Sequence, residues 1–143
     1  MKNNINIFVY GSLRKGFFNY EKYLEGKVAK IKPAILKNMD LYHMPYKGYP
    51  AIVHGTSEVL GEIIVVNDYE NTIPPIDKME GFIGEDNPNN EYHKKLLEVE
   101  LLNTGEKEKC YVYFYNKDID NLFNDKAIHI PDGNWAKYML NSK

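Results

Sequence analysis

Only one cysteine, Cys110, and one tryptophan, Trp135, occur in the 143 residues. A lone cysteine excludes an intramolecular disulfide framework and a multi-cysteine zinc site. No run reaches the roughly 18 apolar residues that a membrane span needs. Met1-Lys2-Asn3-Asn4 leads into a short strand-like run and not into the apolar core of a signal peptide, so the expected location is the cytoplasm. Neither sign of charge dominates. Lys and Arg number 18 against 20 Asp and Glu, a net charge of -2. That balance argues against a general grip on nucleic acid or an anionic membrane. His43, His54, His93 and His129 are spread without His-x-x-x-His or His-x-His spacing, so no metal site is expected. Asp86-Asn-Pro-Asn-Asn-Glu91 lacks the glycine and the bidentate glutamate of a calcium loop at their positions. No repeat or linker interrupts the chain, and residues 1–143 read as a single domain.

What the chain does have is aromatic residues and short strands. Twelve tyrosines and six phenylalanines are a generous supply, and tyrosine lines a pocket while still hydrogen-bonding. Ile5 to Tyr10 is β-branched and aromatic and stops at Gly11-Ser12, which predicts a strand entering a glycine-marked loop. Asn19 to Leu24 reads as a short helix. Val28 to Leu36 has strand character interrupted at Pro33, and Met39 to Met44 alternates. Glu58 to Val66 reads as a central strand, with Gly61 marking a bulge or a close approach of another backbone or ligand. Pro74-Pro75 break any long helix, leaving a short one from Pro75 to Glu80 that Gly81 ends. Gly84 to Asn90 is a polar loop. Tyr92 to Leu102 alternates with period two, and Thr104-Gly105 turns it into a second strand, Lys109 to Tyr115. Asp132 is placed to cap a last helix, Gly133 to Leu140. Many short strands, few helices and no βαβ rhythm predict an α+β fold: a mixed, mainly antiparallel β barrel-like sheet with short helices.

Several residue groups are candidates for chemistry. Gly11-Ser-Leu-Arg-Lys-Gly16 has the spacing of a phosphate loop, but Phe17-Phe18 stand where Lys-Ser/Thr is needed. What remains is a strand followed by a Gly-Ser turn: an anion-binding nest of backbone N–H groups, or a plain connection. Ser12 lacks a Gly-x-Ser-x-Gly elbow and reads as a turn serine bonded to its own backbone. Cys110 lies in a strand and reads as inert. Glu80 ends a short apolar segment beside a glycine. Read alone, a solvated helix-end glutamate is the favoured reading, and a pocket wall where burial raises its pKa is the other. Tyr111, Tyr113 and Tyr115 share one face, either a polar pocket wall or a core with hydroxyls at its rim.

Taken in order, these pieces resemble the gamma-glutamylcyclotransferase-like family. Val9-Tyr10-Gly11-Ser12-Leu13-Arg14-Lys15-Gly16 is similar to its Tyr-Gly-Ser/Thr-Leu loop. Gly48-Tyr49-Pro50-Ala51 and Val59-Leu-Gly61-Glu62 follow. Ile76-Asp77-Lys78-Met79-Glu80-Gly81-Phe82 resembles Leu-Asp-x-x-Glu-Gly-Tyr/Phe. Tyr92-His-Lys94 resembles Tyr-x-Arg with Lys in place of Arg, which weakens bidentate carboxylate recognition. Tyr111 to Tyr115 fills the slot of the late tyrosine-bearing strand.

The resemblance implies a barrel-like sheet with a cavity at one end and a substrate cradle from Tyr10, Gly11, Ser12 and Leu13. It implies a catalytic acid/base at Glu80, with Tyr92 and Tyr113 as further substrate-binding walls. The implied reaction cyclises a γ-glutamyl amide to 5-oxoproline and frees the amine. It needs no cofactor, because the nucleophile is the substrate's own α-amine. The implied partner is a small γ-glutamyl molecule. A non-catalytic γ-glutamyl or carboxylate binding module on the same scaffold is the alternative. Oligomeric state and the role of Ile119–Lys143 are not legible.

Overall fold

The computed structural model describes residues 5–141. The start Met1–Asn4 and the last two residues of the C-terminal segment lie outside the described residues. Strands β1 (Ile7–Val9), β2 (Val28–Met44), β3 (Tyr49–Val66), β4 (Tyr92–Leu101) and β5 (Lys107–Tyr115) form the sheet. The order is β3-β1-β5-β4-β2, and β2 pairs again with β3, so five strands close into a barrel. A two-residue strand, β6 (Ile128–His129), is appended to β2. Among the described residues, only β1 and β5 run parallel; every other pair is antiparallel. The expected barrel-like sheet with short helices is what folds.

β2 and β3 are longer than the sequence pattern predicts. Pro33 does not interrupt β2. It lies opposite Glu62, and its carbonyl accepts the Leu102 N–H at 3.1 Å. A proline removes one ladder donor but leaves its acceptor usable. The irregularities lie elsewhere: the β2–β3 register shifts between Val28 and Lys30 and again at Asn38, with φ 64°. Gly61 marks a close approach and not a bulge. The register runs on through it, and a Cβ there would lie 2.2 Å from the Val9 carbonyl oxygen. The β4–β5 hairpin pairs Tyr92 with Tyr115 through to Glu100 with Lys107.

Helices α1 (Phe18–Tyr23) and α2 (Tyr69–Met79) lie against the sheet, followed by α3 (Phe123–Lys126) and α4 (Trp135–Asn141). α2 corrects an expectation, since it begins well before Pro74-Pro75 and carries both inside it. Neither proline can donate to the carbonyls of residues 70 and 71. Both those residues and the prolines are exposed, while Thr72, Ile73 and Ile76 are buried, so the defect falls on the water side. α4 starts after Asn134, whose side-chain oxygen accepts the Lys137 N–H at 3.1 Å. Asn134 is therefore the cap; Asp132 accepts the Asn134 N–H in the turn before it and pairs with Lys137 Nζ at 3.7 Å.

Alternation along β1 feeds two apolar clusters. Ile7 and Val9 pack with Tyr20, Leu24, Ile73 and Ile76 under α1 and α2. Phe8 and Tyr10 pack with Leu36, Ile63, Val112 and Trp135 of α4. The C-terminal segment is part of this second cluster. Trp135 is buried and donates its indole N–H to His43 Nδ1 at 3.1 Å.

Candidate active site

The chain leaves β1 at Tyr10 and turns at Gly11–Leu13, with the Arg14 N–H donating to the Gly11 carbonyl at 2.9 Å. Gly11 is required by proximity: a Cβ there would lie 2.4 Å from Pro50 Cγ. The turn therefore sits directly on the start of β3. Ser12 ties it to α1. Its hydroxyl accepts from Asn19 Nδ2 at 2.7 Å, and its carbonyl accepts the Tyr20 N–H at 3.0 Å. The expected bond from Ser12 to its own backbone gives way to this Asn19 contact.

Glu80 follows the last residue of α2. Gly81 has φ +69°, a left-handed conformation that glycine adopts without strain, and it ends the helix. The Glu80 carbonyl accepts the Tyr92 N–H at 3.2 Å, and the Gly81 carbonyl accepts the Glu91 N–H at 3.1 Å. These bonds pin the helix end to the start of β4 and aim Glu80 at the Gly11–Leu13 turn. Between them lies a cavity of about 250 Å³.

All seven residues singled out from the sequence line that cavity: Tyr10, Gly11, Ser12, Leu13, Glu80, Tyr92 and Tyr113. The tyrosines have committed hydroxyls. Tyr10 donates to the Tyr113 carbonyl at 2.6 Å and Tyr92 to the Pro50 carbonyl at 2.6 Å. Tyr113 donates to Asp77 Oδ1. Tyr10 and Tyr92 thus offer the cavity mainly ring surface. Burial, with the charge of Glu80 added at both, pushes their phenols well above the usual value. Lys94 does not line the cavity; it bonds both Asp77 oxygens, at 2.9 and 3.1 Å.

Glu80 is half-buried and forms no side-chain hydrogen bond or ion pair among the described residues. Burial first, then the charges of Glu91 and Asp77, raise its carboxyl to about 8. Near neutral pH such a group both takes and gives a proton.

The sequence reading missed Asn19, Met79 and Glu91 as lining residues. Tyr49 and Pro50, noted only as part of a motif, also line it. For Glu91, its place directly before Tyr92 was the available signal. Cys110 is buried and its thiol is pushed up to about 12, chiefly by burial, which fits an inert group. No cluster of metal-ligating side chains occurs among the described residues.

The family model for gamma-glutamyl cyclotransferases of the AIG2-like kind matches residues 7–137. The chain belongs to this family of gamma-glutamylcyclotransferase-like enzymes. It is 32% identical over 111 residues to a provisionally named gamma-glutamylcyclotransferase of Methanocaldococcus jannaschii, covering 76% of this chain and 82% of that protein. It is 28% identical over 138 residues to the gamma-L-glutamyl-butirosin B gamma-glutamyl cyclotransferase of Niallia circulans, covering 94% and 78%. Among solved structures, an AIG2-like protein of Mus musculus superposes with a TM-score of 0.68 at 21% identity, over 92% of this chain and 93% of that one. The fold is shared with it. No helix among the described residues is long and apolar enough to cross a membrane.

Proposed function

We propose that the protein cyclises a γ-glutamyl amide to 5-oxoproline and releases the free amine, with Glu80 as general acid/base. One observation carries this reading. A carboxyl without a cationic partner, raised to about 8, shares one cavity with the Gly11–Leu13 turn. The substrate arrives with its α-ammonium, whose positive charge favours ionised Glu80 when it binds nearby. Glu80 takes a proton from that ammonium. The amine nitrogen attacks the γ-carbonyl carbon and closes a five-membered ring. Glu80 then gives that proton to the leaving nitrogen as the original C–N bond breaks, and the ring nitrogen gives up its second proton to the freed amine, leaving a neutral lactam and an ammonium. Backbone N–H groups of the Gly11–Leu13 turn hold the α-carboxylate or the oxyanion. The rings of Tyr10 and Tyr92 wall the substrate into a near-attack conformer, an effect worth up to about 7–11 kcal/mol. A cytoplasmic location stands with the proposal, on the sequence reading alone.

The test is release of 5-oxoproline, read by mass spectrometry, from a panel of γ-glutamyl amino acids, amines and ε-(γ-glutamyl)lysine. Glu80→Gln keeps the shape but cannot take the proton, and turnover is expected to fall by about 10²–10⁴-fold. Parent-rate turnover in that variant would sink the mechanism. Tight γ-glutamyl binding with no ring product would assign a binding module instead.

A further inference from the structure

Glu80 stands between two other carboxylates that are anchored in the same manner. Asp77 lies three residues earlier, on the same face of the last turn of α2. It receives the Lys94 ammonium on both oxygens and the Tyr113 hydroxyl on Oδ1. Glu91, at the entry to β4, receives Lys47 Nζ at 2.9 Å and the Tyr49 hydroxyl at 2.8 Å, both on Oε2. Each lysine also rests over aromatic rings. Lys94 lies 4.8 Å from the ring centre of Tyr111 and 5.7 Å from that of Tyr113. Lys47 lies 5.8 Å from the ring centre of Tyr115 and 6.0 Å from that of Tyr49. Two carboxylates therefore carry a lysine and a tyrosine each, and the one between them carries neither. Neither lysine lines the cavity.

We propose that Asp77 and Glu91 are positioning residues for the reaction, two clamped carboxylates that fix the end of α2 and the start of β4 around Glu80 and leave Glu80 as the carboxyl that carries the proton. This rests on reading Glu80 as the acid/base. Glu91 lines the same cavity as Glu80, the carboxylates of both pairs and neither lysine act on Glu80, and a like charge nearby disfavours a second ionisation. The groups acting electrostatically with Glu80 are Asp77 from α2, Glu91 and Tyr92 from the start of β4, Tyr10 from the end of β1, Tyr49 from β3 and Tyr113 from β5. Lys47 and Lys94 are the cations behind this ring, each spent on its own carboxylate.

The test uses Asp77→Asn, Glu91→Gln and the double variant. Each amide keeps one acceptor oxygen for its tyrosine and removes the charge; at Asp77 one of the two Lys94 contacts goes with it. Glu80 is titrated directly by NMR of ¹³C-labelled glutamate carboxyls in the ligand-free protein, a readout that needs no turnover. Each single variant is expected to lower the Glu80 midpoint by roughly half a unit or more, and the double variant further. The acid limb of kcat/KM should move with it. Unmoved Glu80 midpoints in folded single variants would overturn the proposal, since a merely structural role predicts lower melting temperature alone. If an amide variant does not fold, Lys47→Gln and Lys94→Gln replace it. Each uncovers a carboxylate and should raise the Glu80 midpoint; no movement again overturns the proposal. A parent enzyme that releases 5-oxoproline while the midpoints stay fixed removes only this proposal. Midpoints that move in a protein turning over no γ-glutamyl amide remove the acid/base reading, and this proposal with it.

Discussion

Glu80 and Glu108 are the same residue type, both half-buried on one small barrel, and the fold treats them oppositely. At Glu108, on β5, burial pushes the carboxyl up. Lys32 Nζ at 2.6 Å and Asn6 Nδ2 at 2.8 Å outweigh burial and hold the group below the usual carboxyl range. At Glu80 burial acts in the same direction and no cation answers it, so the group rises to about 8. The difference teaches what separates a structural carboxylate from a proton carrier. Burial pushes both upward, more strongly at Glu80, and a cation answers it only at Glu108.

The largest stability effect expected from breaking this contrast comes from replacing Glu80. Its folded pKa lies above the ordinary value of 4.5, so the folded state binds the proton more tightly than the unfolded chain. The stability this contributes is fully present below about 4.5 and is lost as pH rises through about 8. Glu80→Gln has no such slope. The variant is expected to gain on the parent across that window, reaching a few kcal/mol at its upper end. Denaturant melts at pH 5 and pH 9 check it. A constant difference at both pH values would show that Glu80 is not shifted upward.

Gly11→Ala disturbs the wall opposite Glu80. The added methyl would meet Pro50 Cγ at 2.4 Å, on a proline ring that cannot swing away. The turn must shift from β3, at about 1–3 kcal/mol in stability. Turnover is expected to fall by more than the lost folded fraction explains, because the turn's N–H groups move with it. Thermal melts and kinetics on one sample separate the two effects.

Much of the barrel can be read in the sequence. Period-two alternation in β4 and the Thr104-Gly105 turn give the hairpin, because side-chain direction in a strand is local information. The two-cluster core follows from the same alternation in β1. The length of α2 cannot be read this way. Pro74-Pro75 are strong local breakers, and only the burial of Thr72, Ile73 and Ile76 outweighs them. The cavity is partly legible. The Gly-Ser turn and Glu80 each stand out in the sequence, but their meeting is tertiary and came only through resemblance. Asp77, Lys94, Lys47 and Glu91 make ordinary surface charges on paper. Their pairing appears only when β3, β4 and α2 converge.

Lys32→Met at the other end of the comparison pushes Glu108 toward the condition of Glu80. The folded pKa of Glu108 is depressed, so its contribution is present above the ordinary carboxyl range and lost as pH falls through the lowered value. Both partners are partly solvated, which limits the effect to about 1 kcal/mol at neutral pH. The parent and variant melting curves should converge in acid. A gap that persists there would assign the loss to packing of the lysine stem and not to charge.

Ser12→Ala is the smallest change and tests whether the cavity has one reactive group or two. Ser12 lies on the same wall as the Gly11 turn, and its hydroxyl is an acceptor for Asn19. No histidine lines the cavity, so the histidine base that commonly activates a serine nucleophile is missing there. Loss of one neutral hydrogen bond costs about 0.5–1.5 kcal/mol in stability. Turnover is expected to fall less than tenfold, since α1 keeps its second tie through the Tyr20 N–H to the Ser12 carbonyl at 3.0 Å. Intact-mass spectrometry of a rapidly quenched reaction gives the complementary reading, and no adduct is expected. A dead Ser12→Ala enzyme together with an acylated parent would move the chemistry from an intramolecular attack to a covalent one, and Glu80 would become the base that serves the serine.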